Sequence, residues 1–168
     1  MKILKVSFLT TSLFFASVPV MAQDLLPLQL YWSSERGDNF VTATNKGGND
    51  ALNAGYNYIR DEACILSSKQ AGTIPLNLYW SSERGDNFTA TTNKGARDAR
   101  SAKYIFARVE GYVFKHKQPG TIPLSLYWSS ARGDNFSTAT NKGVRDARSA
   151  KYRFVRTQGY VYPASKCK

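Results

Sequence analysis

One motif recurs at a fixed interval and limits what this chain can become. Leu-Tyr-Trp-Ser-Ser, one variable residue, then Arg-Gly-Asp-Asn-Phe appears three times. Its aromatic pairs are Tyr31-Trp32, Tyr79-Trp80 and Tyr127-Trp128, spaced 48 residues apart. A supersecondary unit written three times either stacks in a line or closes on itself. Three units without distinct end caps would leave apolar surface bare at both ends of a line. Closure is therefore expected, with units at about 24–72, 73–120 and 121–168.

The chain opens differently. Lys2 and Lys5 precede an apolar run from Val6 to Val18, and Val20-Met21-Ala22 places small residues before a cut. This is the pattern of a secretory signal peptide spanning 1–22, of the Gram-negative type. The run is shorter than the roughly 20 residues a spanning helix needs, so no membrane span is expected. Residues 23–168 then form a single domain, which the three units all but fill, in a secreted or periplasmic protein.

The formal net charge is +11, of which Lys2 and Lys5 supply two. A basic exported protein is drawn to polyanions. There are two cysteines, Cys64 and Cys167, and in an oxidising compartment a pair is expected to bridge. His116 is the sole histidine, so no metal site is expected, and no cofactor motif is present.

The second unit reads most clearly. Leu76, Leu78 and Trp80 alternate with Asn77 and Tyr79, which places Trp80 on a core face and Tyr79 toward solvent. Ser81 to Asn87 is a turn, and its chemistry accounts for Arg-Gly-Asp, a tripeptide that also serves as an adhesion signal in animal matrix proteins. A strand over Phe88–Thr92, a cap at Asn93 and a short helix over Gly95–Ala102 follow. The helix buries Ala99 and Ala102 and exposes Arg97 and Arg100. Gly55 suits a left-handed position at the end of this helix, and Lys103 and Lys151 replace it at a cost of about 1 kcal/mol each if the geometry is kept. A third strand over Tyr104–Arg108 and a fourth over Tyr112–Phe114 are expected, with a bend at Gly111. The fold class is thus mainly β: a pseudo-threefold, β-trefoil-like domain with about four short strands and one short helix per unit.

The succession of aromatic pair, Gly-Asp-x-Phe, Thr-rich strand, Ala-rich helix and Gly-Tyr-Val-Phe resembles a bacterial family of secreted repeats of unknown function. Those repeats accompany exported hydrolases as accessory modules, and trefoils of this kind resemble lectins. The resemblance covers all three units. Asp86-Asn87-Phe88 stands where that family tends to have Asp-His-Phe.

A catalytic role is not expected. No Ser-His-Asp or Cys-His set can be assembled. Of the carboxylates, Glu83 becomes Ala131 and Glu110 becomes Gln158 in the third unit. Sugar binding needs an aromatic face beside hydroxyl-bonding groups. Each unit offers both: Tyr31, Trp32, Asp38 and Asn39; Tyr79, Trp80, Asp86 and Asn87; Tyr127, Trp128, Asp134 and Asn135. Three such sites would add avidity. A second candidate surface is basic and lopsided. Arg97, Arg100 and Lys103 match Arg145, Arg148 and Lys151, whereas the first unit has Asn49, Leu52 and Gly55 there. The expected partners are cell-surface or extracellular glycans, neutral or anionic. Nucleic acid is not expected, because no nucleic-acid motif is present. The alternative is a protease inhibitor or protein-contact module that presents the Lys115–Gly120 loop.

Overall fold

The computed structural model describes residues 24–167. The expected signal peptide at 1–22 lies outside the described residues. The described chain is mainly β and antiparallel, with one element order run through three times. The first pass is β1 (Leu25–Ser33), β2 (Asp38–Thr42), α1 (Asn45–Asn53) and β3 (Asn57–Leu66). The second is β4 (Thr73–Ser81), β5 (Asp86–Ala90), α2 (Asn93–Ser101) and β6 (Ile105–Phe114). The third is β7 (Ile122–Ser129), β8 (Asp134–Thr138), α3 (Asn141–Ser149) and β9 (Arg153–Val161). No described helix is long and apolar enough to cross a membrane.

Within each unit the first strand pairs with both others. Between units the pairing is narrow. Leu66 pairs with Tyr112, Phe114 with Tyr160, and Tyr162 with Cys64. These are the same two positions shifted by 48 residues, and the last pair joins the third unit to the first. The Cys64–Cys167 disulfide forms as expected and ties the same two units covalently. Leu28, Leu76 and Leu124 are fully buried at the centre, with Ala63, Ile65, Val113 and Val161 around them.

Two expectations are corrected here. Each unit has three strands rather than four, because the expected third and fourth are one continuous strand. Gly111 lies within the continuous β6, beside a register shift against β4. A Cβ there would meet Ile65 Cδ1 at 2.6 Å and the Leu66 carbonyl oxygen at 2.8 Å, so glycine admits the neighbouring unit. The cap also differs. Thr44, Thr92 and Thr140 are the N-caps, each accepting from the amide three residues on, and Asn93 is already helical. Lys-Asp pairs four residues apart, such as Lys94–Asp98 at 3.0 Å, then support each helix. Lys103 and Lys151 do adopt positive φ, at 62° and 61°, where Gly55 stands at 80°.

The largest correction concerns the aromatic pair. Tyr31, Tyr79 and Tyr127 are buried, and Trp32, Trp80 and Trp128 are the half-buried partners. Strict alternation fails because each first strand carries two register shifts against its third, as at Leu76/Asn77 and Leu78/Tyr79. The helix then roofs the tyrosine: Tyr79 packs with Phe88, Ala99 and Tyr104. Phe106 of the third strand is exposed and meets Tyr79 edge-on at 5.9 Å.

Candidate functional site

The hairpin turn decides where Arg-Gly-Asp points. Gly37 donates its amide to the Ser33 carbonyl at 2.9 Å and adopts φ of 67°. That geometry leaves Arg36 exposed and turns Asp38 inward. The same happens at Asp86 and Asp134, and all three carboxylates meet where the units converge. With the aspartate buried, the tripeptide is not displayed as an adhesion signal.

Each carboxylate is held by its own unit and by the next. Asp38 Oδ2 accepts from the Tyr56 hydroxyl and, at 3.4 Å, from Asn87 Nδ2. Asp86 Oδ2 accepts from Tyr104 and from Asn135 at 3.3 Å. Asp134 Oδ2 accepts from Tyr152 and from Asn39 at 2.8 Å. Burial pushes all three carboxyls up, Asp38 to about 8, Asp134 to about 7 and Asp86 to about 6. A neighbouring carboxylate adds to the rise at each, while the phenol opposes it at all three and the asparagine amide at Asp86 and Asp134. The partner phenols are raised as well, by burial first and then by the adjacent aspartate.

Around this centre lie three grooves, each shared by two units. The groove between the first and second units has a volume of about 400 Å³ and is lined by Arg36, Asp50 and Tyr56 on one side and Trp80, Asn87 and Arg108 on the other. Its counterpart between the second and third units, about 320 Å³, sets Arg84, Asp98 and Tyr104 against Trp128, Asn135 and Arg156. The third, about 260 Å³, sets Arg132, Asp146 and Tyr152 against Trp32, Asn39 and Arg60. Ion pairs cross each groove: Arg108–Asp50 at 3.2 Å, Arg156–Asp98 at 2.8 Å and Arg60–Asp146 at 2.9 Å. Lys and Arg partners hold Asp98 and Asp146 below the usual carboxylate range, although burial opposes them. Anions so stabilised are poor general acids, but they accept hydrogen bonds well. Arg132 stacks over the Trp32 ring at 5.9 Å, and Arg36 and Arg84 stand over Tyr56 and Tyr104.

Residues 27–166 match the family model described as a domain of unknown function, DUF5648. The chain belongs to that family. No curated protein and no solved structure matches it. The DUF5648 domain therefore has to be read from its own geometry.

Of the residues expected to bind a ligand, the DUF5648 domain keeps only some within reach. Trp32, Trp80 and Trp128 line the grooves, with Asn39, Asn87 and Asn135 beside them. Tyr31, Tyr79 and Tyr127 lie under the helices, and Asp38, Asp86 and Asp134 are sealed at the centre. Neither trio can touch a surface ligand. The basic residues Arg97, Arg100, Lys103, Arg145, Arg148 and Lys151 are all exposed, and of these only Lys103 is in an ion pair, with Glu83 at 3.3 Å. The carboxylates weighed for catalysis do not face one another across a groove. Glu83 pairs with Lys103, Asp86 is at the centre, and Glu110 is a buried interunit contact.

Sequence reasoning missed Asp50, Asp98 and Asp146 and their partners Arg108, Arg156 and Arg60. Arg108 reaches Asp50 across the groove and Glu110 within its own unit. A signal was present, since both residue types recur every 48 positions. Recurrence alone does not tell that the arginine–aspartate bonds run between units.

Proposed function

We propose that this domain is a non-catalytic glycan-binding module of an exported protein, with one binding site in each groove. The observation that carries this is the threefold recurrence of a half-buried tryptophan beside an asparagine, an aspartate and two arginines. An indole face takes the apolar side of a pyranose, and the flanking amide, carboxylate and guanidinium groups take its hydroxyls. Three sites on one chain convert weak single-site affinity into avidity for a polymer. In the same reading the units close about a pseudo-threefold axis in a trefoil-like manner. The cyclic order of interunit pairings, of aspartate–asparagine contacts and of crossing ion pairs supports that closure.

The exposed, largely unpaired arginines of α2 and α3 favour anionic glycans in particular. A neutral and sulfated glycan array, read at low and high salt, tests both parts. Binding of neutral sugars that survives salt and falls in Trp80→Ala assigns the grooves. Binding that disappears in salt and falls in Arg97→Ala/Arg100→Ala assigns the basic helices. Absence of glycan binding in both conditions would remove the proposal.

A further inference from the structure

The aspartates at the centre carry more oxygen than the fold uses. Asp38, Asp86 and Asp134 are 2, 3 and 2% exposed. Their Oδ2 atoms are taken by a phenol and an amide each, whereas Oδ1 of every one is buried without a hydrogen-bond partner. One carboxylate oxygen from each residue lies within 4.8 Å of those from the other two. Among the described residues, none of the three forms an ion pair with a lysine or arginine. Their donors are neutral hydroxyl and amide groups, which orient a carboxylate but do not cancel its charge. Three buried acids at this range need a positive partner or protons.

We propose that Asp38, Asp86 and Asp134 together bind one hard divalent cation where the three units meet, each through Oδ1. An all-carboxylate set selects magnesium, manganese or calcium over softer metals. Three protein oxygens leave coordination positions for water, an arrangement that magnesium in particular favours. Tyr56, Tyr104 and Tyr152, with Asn39, Asn87 and Asn135, are the outer partners that fix each carboxylate's orientation. Because every ligand comes from a different unit, the ion acts as a clamp whose binding stabilises the closed domain. The ligating aspartates do not line the grooves, whereas their outer tyrosine and asparagine partners do.

The test uses the purified, oxidised protein after chelator treatment. Terbium is added as a luminescent probe, excited through the phenols that bond to the ligating carboxylates. The expected result is sensitised emission that saturates at one ion per chain and is displaced by calcium, magnesium or manganese. The same ions should raise the melting temperature. Asp86→Asn should lose both the emission and the cation-dependent rise, and Tyr104→Phe should bind about 10–100-fold more weakly. No emission and no cation-dependent melting shift in the unmodified protein would overturn the proposal. So would an Asp86→Asn variant that keeps both. If that variant does not fold, wild-type stoichiometry and the Tyr104→Phe affinity decide on the same terms.

Discussion

The three interunit junctions are copies of one another in sequence position, yet two hold a buried glutamate and one does not. Between the first and second units, Glu110 accepts from Thr42 Oγ1 at 2.7 Å, the Ala43 amide at 2.9 Å and Arg108 Nε at 2.7 Å. Between the third and first, Glu62 does the same with Thr138 at 2.6 Å, Ala139 at 3.2 Å and Arg60 at 2.7 Å. Between the second and third, the acid is Gln158 and the threonine is Ala90. Gln158 turns to Ser137 of its own unit at 2.7 Å, its Oε1 is left without a partner, and Arg156 keeps only Asp98. The acid and its hydroxyl donor are absent together. A buried carboxylate is tolerable only while its donors stay in place.

The largest test of this contrast removes the acids. Glu110→Ala should cost about 3–5 kcal/mol in urea unfolding, because it leaves the Thr42 hydroxyl and the Ala43 amide without their acceptor and Arg108 with Asp50 alone. Gln158→Ala should cost only about 1 kcal/mol. Equal losses would show that the two kinds of junction are energetically alike. Next in size is the reverse experiment. Ala90→Thr combined with Gln158→Glu rebuilds the lock, and Gly95 leaves room for the new hydroxyl just as Gly47 and Gly143 do beside Thr42 and Thr138. The two changes should couple favourably by about 1–3 kcal/mol in a double-mutant cycle, with Gln158→Glu alone destabilising.

A smaller effect concerns ligands. Arg108 and Arg60 are each shared by a glutamate and an aspartate, whereas Arg156 answers to Asp98 alone. The Trp128 groove should therefore favour an acidic substituent. Trp128→Ala should weaken binding of a sulfated glycan about tenfold more than Trp80→Ala, as measured by calorimetry. The smallest prediction contrasts the first unit with the others. Lys103→Gly or Lys151→Gly should raise stability by up to about 1 kcal/mol, read as a higher melting temperature, by relieving a left-handed side chain. Gly55→Lys should lower it by a similar amount.

How much of this could be read beforehand divides along one physical line. Features set within a unit were legible: the hairpin turn at Arg-Gly-Asp, the exposed Arg97 and Arg100, the left-handed Lys103. The disulfide also followed, from cysteine count and expected compartment. Features that need a second unit were not. Trp80 and Tyr79 exchanged faces because register shifts break the alternation and the helix covers the tyrosine. Asp86 reads as a turn residue in isolation, and only the packing of one unit on the others brings it beside Asp38 and Asp134. A search for histidine and cysteine ligands passes over such a trio, because its members are 48 residues apart and chemically ordinary. A sharper rule is that a charged residue invariant across copies, at a position that faces the point of convergence, will meet its own duplicates.

Every groove borrows its tryptophan from one copy and its facing aspartate from the copy before. A solitary 48-residue peptide would therefore own two half-sites and no whole one. Such a peptide could complete a cleft only by associating with further copies of itself, which the tandem arrangement supplies on one chain. On one chain the copies need not be identical: Gln158 stands behind Arg156 of the Trp128 cleft, where Glu110 and Glu62 stand behind the arginines of the other two.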